Sequence, residues 1–241
     1  MKYLSRALLL STVLLGFSSI SARAASFKAD IGTLNGSGVT GTALFDLSDD
    51  KKTLTVTTNA TGLEPNQDHV QHIHGLFSAS GEVADSMTPT LAADADGDGF
   101  VELLEAAPNY GPILVPLATI NTPDGNASVT TTYDLTDPSI FGINRATGNP
   151  FTAADLMPLT FREVVVHGLT VAPGIGSGTA NEVDGTGGYL AVLPVAAGEI
   201  VAINDEAATV PEPDAIATLA LLGVIGGASI LRRQRSAAAS S

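Results

Sequence analysis

Cysteine is absent from this chain of 241 residues, and basic residues are scarce. Without cysteine no disulfide can form, so stability has to come from buried apolar side chains and from any bound metal. Between residues 25 and 209 the sequence has five basic and 23 acidic residues, a net charge of −18. Such a surface repels nucleic acid and anionic lipid and attracts cations, which excludes nucleic acid as a partner.

The signatures of several common enzyme classes are also missing. The sequence contains no Gly-x-Ser-x-Gly elbow, no phosphate-binding P-loop and no dinucleotide-binding glycine fingerprint. Its four histidines all fall in two short runs, so none is left to serve as the base of a serine hydrolase.

The N-terminus has the three parts of a secretory signal peptide. Lys2 and Arg6 precede an apolar run at residues 7–17, and Ser21-Ala22-Arg23-Ala24 has the small-x-small form of a signal peptidase site. We therefore expect residues 1–24 to be removed by signal peptidase and the rest to be exported. The alternative, an uncleaved membrane anchor, is disfavoured because so short a run seldom spans a bilayer.

The C-terminus has a second processing signature at residues 206–241. Val210-Pro211-Glu212-Pro213 is followed by an apolar stretch at residues 215–231 and then by Arg232-Arg233-Gln234-Arg235. A helix of this length spans roughly 25 Å, enough to cross a thin bilayer core if the arginines extend to the interface. We expect transient membrane insertion of this helix, with a cytoplasmic C-terminus and an exported body.

This tail resembles the PEP-CTERM sorting signal of Gram-negative bacteria, since motif, apolar span and basic cluster occur in the same order. The resemblance implies recognition of Pro-Glu-Pro by an exosortase-type sorting enzyme and delivery to the cell surface or extracellular matrix, with extracellular polysaccharide as a partner. The alternative is a simple tail anchor.

Residues 25–205 have the pattern of one antiparallel β-sandwich domain. Short runs of alternating apolar and polar residues are separated by turn residues. In one run Leu54, Val56 and Ala60 share a face, and the segment 48–52 that precedes it predicts a hairpin turn. Thr152 has the spacing of a capping box and predicts a short helix, while residues 174–188 predict a glycine-rich loop. The predicted strands are 39–47, 53–60, 69–76, 113–120, 127–135, 162–169, 189–194 and 199–204.

The histidines are the best indication of function. His69, His72 and His74 lie in one predicted strand and His167 lies in another. Because side chains alternate along a strand, His72 and His74 project from one face, with Ile73 directed into the core, and His167 can add a third imidazole. Three imidazoles from two strands predict a copper or zinc site. The alternative is that all four are hydrogen-bonded strand residues without metal.

The spacing His-x-x-His-x-His, followed far downstream by Val-Val-His, resembles the copper site of the copper/zinc superoxide dismutases. In that resemblance His72, His74 and His167 take the positions of three copper ligands, and His69 takes that of an upstream structural histidine. The stretch from Val39 to Gly75 also resembles the CHRD domain named after chordin. Both resemblances imply an all-β, Greek-key antiparallel sandwich.

The sequence also departs from the dismutase pattern. It has no further histidine for a zinc subsite and lacks the cysteine pair, and Tyr189 stands where the resemblance would place the substrate-guiding arginine. These departures favour metal binding over superoxide turnover. We therefore expect a non-enzymatic metal-binding protein of CHRD type, with a copper-dependent, dismutase-like oxidoreductase as the alternative.

A second candidate site is an acidic segment that matches the twelve-position EF-hand loop. Carboxylates stand at positions one, three and five, a glycine at six, a backbone carbonyl at seven, and further carboxylates at nine and twelve. Pro89 and Pro108 leave no room for two long flanking helices. The segment predicts a calcium-binding loop, and the alternative is a solvated acidic turn. Its candidate ligands are Asp94, Asp96, Asp98, Phe100 through its carbonyl, Glu102 and Glu105.

Overall fold

The computed structural model describes residues 24–176 and 183–203. The predicted signal peptide and the predicted sorting tail at residues 206–241 lie outside the described residues, as does the middle of the glycine-rich loop. Within the described ranges no helix is long and apolar enough to cross a membrane.

The described residues form an antiparallel β structure with few helices, as the sequence predicts. Two short α-helices and three single 3-10 turns stand between the strands. The strands are β1 (Ala25–Thr33), β2 (Thr40–Leu47), β3 (Thr53–Thr61), β4 (Gln71–Phe77), β5 (Val83–Ala84), β6 (Ile113–Pro116), β7 (Ala127–Asp134), β8 (Arg162–Val171) and β9 (Gly188–Ala202). The helices are α1 (Leu103–Tyr110) and α2 (Ala153–Leu156), and the 3-10 turns are Leu91–Ala93, Pro138–Ile140 and Leu159–Phe161.

The strands follow the order β5-β4-β8-β9-β1-β2-β3-β7, and β6 pairs with β4 outside this path, on the edge opposite β8. Four of the seven neighbour pairs in this order are consecutive strands, and the other three ladders, β4–β8, β9–β1 and β3–β7, tie remote segments together. The long strand β9 pairs with β8 on one edge and with β1 on the other. Its residue Glu199 pairs with Glu163 of β8, and the next residue, Ile200, pairs with Ala29 of β1.

The main core lies between the inner faces of these strands. Phe45, Leu54, Ile73, Val164 and Ile200 are all completely buried there. Each such side chain stabilises the fold by about 1.5–3 kcal/mol relative to an exposed position. The predicted face of β3 is confirmed, because its residues Leu54, Val56 and Ala60 are buried.

A second, smaller cluster covers the outer face of β8. Val165 and Ala197 of the sheet contact Val101, Ala106 and Tyr110, which lie in or just before α1. Helix α1 therefore lies against the side of the sheet that faces away from the main core.

Two predicted strands, 189–194 and 199–204, are halves of the single strand β9. Pro194 does not interrupt it, because Pro194 pairs with His167 where the β8–β9 register shifts. Proline has no amide hydrogen to donate, and it is tolerated where a bulge already interrupts the ladder because no regular backbone hydrogen bond is lost there. Residue 204 lies outside the described ranges.

Other predicted boundaries also need correction. The predicted strand 113–120 ends at Pro116; beyond it the amide of Leu117 donates to the carbonyl of Gln71, and Ile120 forms an isolated bridge to His69. His69 therefore precedes β4 rather than lying within it. Strands β1 and β5 were not predicted, although Ala29 and Ile31 of β1 are buried with the alternation expected of a strand.

Two local predictions are confirmed. Thr152 caps α2, and its side chain accepts from the amide of Asp155 while the Asp155 carboxylate accepts from the amide of Thr152. The turn between β2 and β3 is closed by Lys51, whose amide donates to the carbonyl of Ser48 at 2.8 Å.

The end of α1 approaches β4 so closely that only glycine fits. At Gly111 a side-chain β-carbon would lie 2.2 Å from the carbonyl oxygen of Gly75, and the φ angle there is 76°. The amide of Gly75 donates to the carbonyl of Pro112 at 3.1 Å. This backbone contact fixes the end of the helix over the strand that contains His72 and His74.

We predict that Gly111→Ala destabilises the protein much more than Gly148→Ala. Both glycines have positive φ, but a β-carbon at Gly148 would have open space. Gly148→Ala should cost about 1–2 kcal/mol of backbone strain, and Gly111→Ala about 1–3 kcal/mol more because of overpacking. Urea unfolding of both variants measures the difference, and equal losses would contradict the close approach.

Candidate metal centre

The pairing of β4 with β8 places three histidines on one face. His72 pairs with Val165, so His167, two residues beyond Val165, projects from the same side of the sheet. His74 is two residues beyond His72 and lies on that side as well. Ile73, between them, is completely buried in the main core, as the sequence predicts.

The three rings converge on one point. The ring centroids lie 5.5 Å apart for His72 and His74, 5.1 Å for His72 and His167, and 6.1 Å for His74 and His167. One ring nitrogen from each histidine lies within 4.8 Å of the other two. His74 and His167 are buried and His72 is partly exposed, so the cluster is most open at His72.

Each of the three rings has one buried nitrogen without a hydrogen-bond partner in the described part of the chain. The Nδ1 of His74 donates to the carbonyl of Gly111 at 2.9 Å, and the Nδ1 of His167 donates to the carbonyl of Val192 at 2.7 Å. Their Nε2 atoms and the Nδ1 of His72 are buried without a hydrogen-bond partner among the described residues. In metalloproteins, a hydrogen bond from one imidazole nitrogen to a backbone carbonyl fixes the tautomer of the ring and directs the lone pair of the other nitrogen to a metal.

Burial keeps the three imidazoles neutral. Loss of solvation lowers the pKa of His72 to about 4. Desolvation, followed by the charge of His72, lowers the pKa of His167 to about 3. Desolvation, with His167 as the next cause, also lowers the pKa of His74 well below its usual value. A metal binds the neutral ring, so at neutral pH no proton has to be displaced.

His69 lies beside the cluster but does not contribute a ligand atom to it. Its Nδ1 is 3.0 Å from the carbonyl oxygen of His167, and its Nε2 is 3.1 Å from that of Glu64. Both nitrogens therefore face backbone acceptors. His69 holds the backbone of His167 in place, which fits the supporting position that the sequence assigns to it.

Two tyrosines lie next to the histidines. Tyr110 at the end of α1 packs on His74 with ring centroids 4.3 Å apart, and its hydroxyl is buried without a partner in the described structure. Tyr189 packs edge-on against His69 at 6.0 Å and donates to the carbonyl of Asp68. Burial, then Glu64 and Asp68, raises the pKa of Tyr189 to about 12. The surroundings of Tyr189 are therefore acidic.

A buried carboxyl lies on the same face as the histidines. Glu163 pairs with His74 across the β4–β8 ladder and has no exposed surface. The Oγ1 of Thr88 lies 3.0 and 2.9 Å from its two carboxyl oxygens. One hydroxyl has one proton to donate, so a protonated carboxyl can supply the second hydrogen bond. Desolvation, with Glu199 and Asp85, raises the pKa of Glu163 to about 8.

The acidic segment brings its carboxylates into two overlapping groups. Asp94, Asp96 and Glu105 form the first, and Asp96, Asp98 and Glu102 form the second. Within each group one oxygen per residue lies within 4.8 Å of the others. An eight-residue helix follows the loop and a single 3-10 turn precedes it, so two long flanking helices are absent from the described chain, as predicted. Helix α1 nevertheless continues past Pro108.

Much of this loop is already satisfied by its own backbone. The two carboxylate oxygens of Asp94 accept from the amides of Gly97 and Gly99, at 2.7 and 2.9 Å. Glu105 accepts from the amide of Ala95 at 2.5 Å. Desolvation, followed by the hydrogen bond to Glu105, raises the pKa of Glu102 to about 8. The segment is therefore an ordered turn whose carboxylates face one another.

Sequence reasoning missed the residues that hold the histidines in place. Tyr110, Gly111 and Val192 come from segments that carry no metal-site motif, and two of them act through backbone carbonyls. Any residue type can supply a carbonyl, so no sequence signal marks them. The tyrosine at position 110 has only the apolar spacing of α1, which predicts burial and not a contact with His74.

Comparisons with known proteins leave the family open. No protein-family model and no curated protein matches the chain. Among solved structures, the Cu(II) form of Candida albicans superoxide dismutase 5 is similar over 76% of this chain and 94% of its own, at 14% identity and a TM-score of 0.31. A mutant of the same enzyme gives 13% identity, 76% and 95% coverage and a TM-score of 0.32. Values this low establish neither fold nor activity, so the centre itself has to indicate the function.

We predict that Glu163→Gln changes how stability depends on pH. The folded pKa of Glu163 is about 8, above the usual value of 4.5. The contribution of its protonated form to stability is therefore full below pH 4.5 and is lost as the pH rises through 8, by at most about 1.4 kcal/mol per unit. Glutamine stays neutral and should remove that loss. Melting temperatures of the variant and the wild type at pH 6 and pH 9 measure this loss. Parallel pH profiles of the two proteins would contradict the prediction.

Proposed function

We propose that this chain is a metal-binding β-sandwich protein whose histidine centre holds a copper ion. The Nδ1 of His72 and the Nε2 atoms of His74 and His167 would be the ligands. The observation that carries the proposal is twofold: each of these nitrogens is buried without a partner among the described residues, and one ring nitrogen from each histidine lies within 4.8 Å of the other two. Buried polar atoms normally have partners, and one bound cation would serve as the partner of all three nitrogens.

The donor set favours copper over the other common ions. Imidazole suits copper and zinc, and sites of a given type bind Cu²⁺ more tightly than Zn²⁺. A structural zinc site is closed by four protein ligands, whereas this group contains three among the described residues. Copper bound here would supply Lewis acidity and one-electron redox chemistry, and the histidine cluster is most exposed at His72.

Binding without turnover is the function that the surroundings favour. Tyr189 lies beside Asp68 and Glu64, which is an environment that disfavours an anion such as superoxide. Arg162 is buried, and its guanidinium donates to backbone carbonyls, among them those of Leu156 and Asp155. A copper-dependent, dismutase-like oxidoreductase is the second candidate, and the partial exposure of His72 favours it because a small substrate could approach there.

The biological setting proposed for this binding protein follows from the sequence. Export by the signal peptide, a CHRD-type Greek-key body and sorting by the C-terminal tail would place the centre at the cell surface or in the extracellular matrix. Signal peptidase and an exosortase-type enzyme would act on the two ends. An excess of acidic residues would concentrate metal cations near such a protein.

We predict that the purified protein binds one Cu(II) ion and that His167→Ala or His74→Ala abolishes tight binding, because each removes one of three ligand nitrogens. Isothermal titration with Cu(II), together with metal analysis, measures the stoichiometry and affinity. His69→Asn is the matched control, since it removes an imidazole that supplies no ligand. It should weaken binding by no more than the about 10- to 100-fold typical of supporting residues.

Two outcomes of this experiment would contradict the proposal. Copper binding that survives in both ligand variants would place the ion elsewhere. A wild-type protein with no affinity for copper would mean that the histidines are strand residues that bind no metal. A superoxide assay on the copper-loaded wild type separates the two candidate functions, because rapid turnover would favour the oxidoreductase.

Calcium binding by the acidic loop stays a prediction. In its favour, one carboxylate oxygen of Asp98 is buried without a partner among the described residues, and Glu102 is 2% exposed. Hard oxygen donors crowded without a basic residue among them repel one another until a cation arrives.

We predict that millimolar calcium raises the melting temperature and that Asp94→Ala or Glu105→Ala removes most of the rise, because a ligand that prefers the folded state stabilises it. Magnesium should have a smaller effect, since it requires a tighter octahedron. The control is Asp49→Ala in the exposed β2–β3 turn, which should respond like the wild type. An unchanged melting curve in calcium would identify the segment as a solvated turn.

A further inference from the structure

Tyr110 is an unusual residue in the neighbourhood of the histidines. Its side chain is 1% exposed, and its hydroxyl is buried without a hydrogen-bond partner in the part of the chain that the structure describes. A buried tyrosine hydroxyl normally has a partner, because leaving it unpaired costs about 1–3 kcal/mol. The packing of the ring explains the position of the side chain but not the presence of the oxygen.

The contacts of Tyr110 relate it to the centre. Its ring lies 4.3 Å from the ring of His74, tilted by 56°. The next residue, Gly111, accepts the hydrogen bond that orients His74. Tyr110 also packs in the apolar cluster that contains Val101 and Val165, whose side chains offer the hydroxyl no acceptor. The ring that bears the unpaired hydroxyl therefore packs directly on one of the three imidazoles that have an unpaired buried nitrogen.

The state of the phenol decides which role it can take. A phenol ordinarily has a pKa of about 10, so the hydroxyl keeps its proton at neutral pH. A protonated phenol is a hydrogen-bond donor and a poor metal ligand. Three imidazoles leave at least one position of a four-coordinate ion to a small external ligand. In a site from which water is largely excluded, such a ligand needs a donor from the protein.

We propose that Tyr110 is a fourth residue of the centre and that its hydroxyl donates a hydrogen bond to the small ligand that completes the coordination of the bound ion. The inference rests on the proposed copper site. Tyr110 would then contribute to the selectivity of the centre for its external ligand. Anions and oxygen ligands that accept a hydrogen bond would be favoured over ligands that cannot.

The test compares Tyr110→Phe with the wild type, using Cu(II) as the metal and azide as the external ligand. Azide titrations followed by the azide-to-copper charge-transfer absorption should show azide affinity about two- to tenfold weaker in the variant, the value of one hydrogen bond. Affinity for Cu(II) itself should change less than azide affinity, since all three imidazoles remain.

A second readout needs no metal. In protein treated with a chelator, Tyr110→Phe should raise the melting temperature, because it removes an unpaired buried hydroxyl. Tyr133→Phe is the matched control: the hydroxyl of Tyr133 accepts from the amide of Ala118 at 2.9 Å. Its loss should lower the melting temperature and leave azide affinity unchanged.

Three results would overturn the inference. Equal azide affinity in Tyr110→Phe and wild type would show that the hydroxyl does not reach the external ligand. Loss of Cu(II) affinity in this variant would make Tyr110 a ligand or a purely structural residue. A lower melting temperature of its metal-free form would mean that the hydroxyl already has a partner. Failure of the wild type to bind Cu(II) is distinguishable from all three, because it appears before azide is added and contradicts the copper site itself.

Discussion

The register between β4 and β8 is the constraint on which the rest of the centre depends. With His72 opposite Val165, all three clustered histidines lie on the outer face while Ile73, Val164 and Val166 fill the core. A shift of one residue would exchange the faces of a strand, burying imidazoles in the main core and exposing its apolar side chains. The burial of the core residues therefore specifies the position of the histidines.

The outer face becomes a site because other segments cover it. Helix α1 provides the carbonyl of Gly111 and the ring of Tyr110 above His74, and β9 provides the carbonyl of Val192 to His167. These contacts bury His74 and His167 and hold each of their rings in one tautomer. Burying a polar nitrogen without a partner is unfavourable, and this cost at three neighbouring imidazoles is the physical basis of the proposed cation site.

Helix α1 also links the two candidate cation sites of the molecule. It begins at the acidic loop, where Glu102 and Glu105 form its capping box, and it ends on His74. At about 1.5 Å per residue its eight residues span roughly 12 Å. Both sites are therefore held by one rigid element, whose far end is fixed to β4 by the contact between Gly111 and Gly75.

The sequence by itself determined the features that depend on local periodicity. Alternation predicted the antiparallel β class and the common face of His72 and His74, and the capping box at Thr152 predicted α2 correctly. What only the tertiary structure decided is which remote segments meet. It joined two predicted strands into β9, brought His167 to His72, and placed Tyr110, Gly111 and Glu163 around the histidines. Strand pairing and hydrogen bonds to backbone carbonyls join residues that are far apart in the chain, and they require no particular residue type. Local sequence patterns therefore do not predict these contacts.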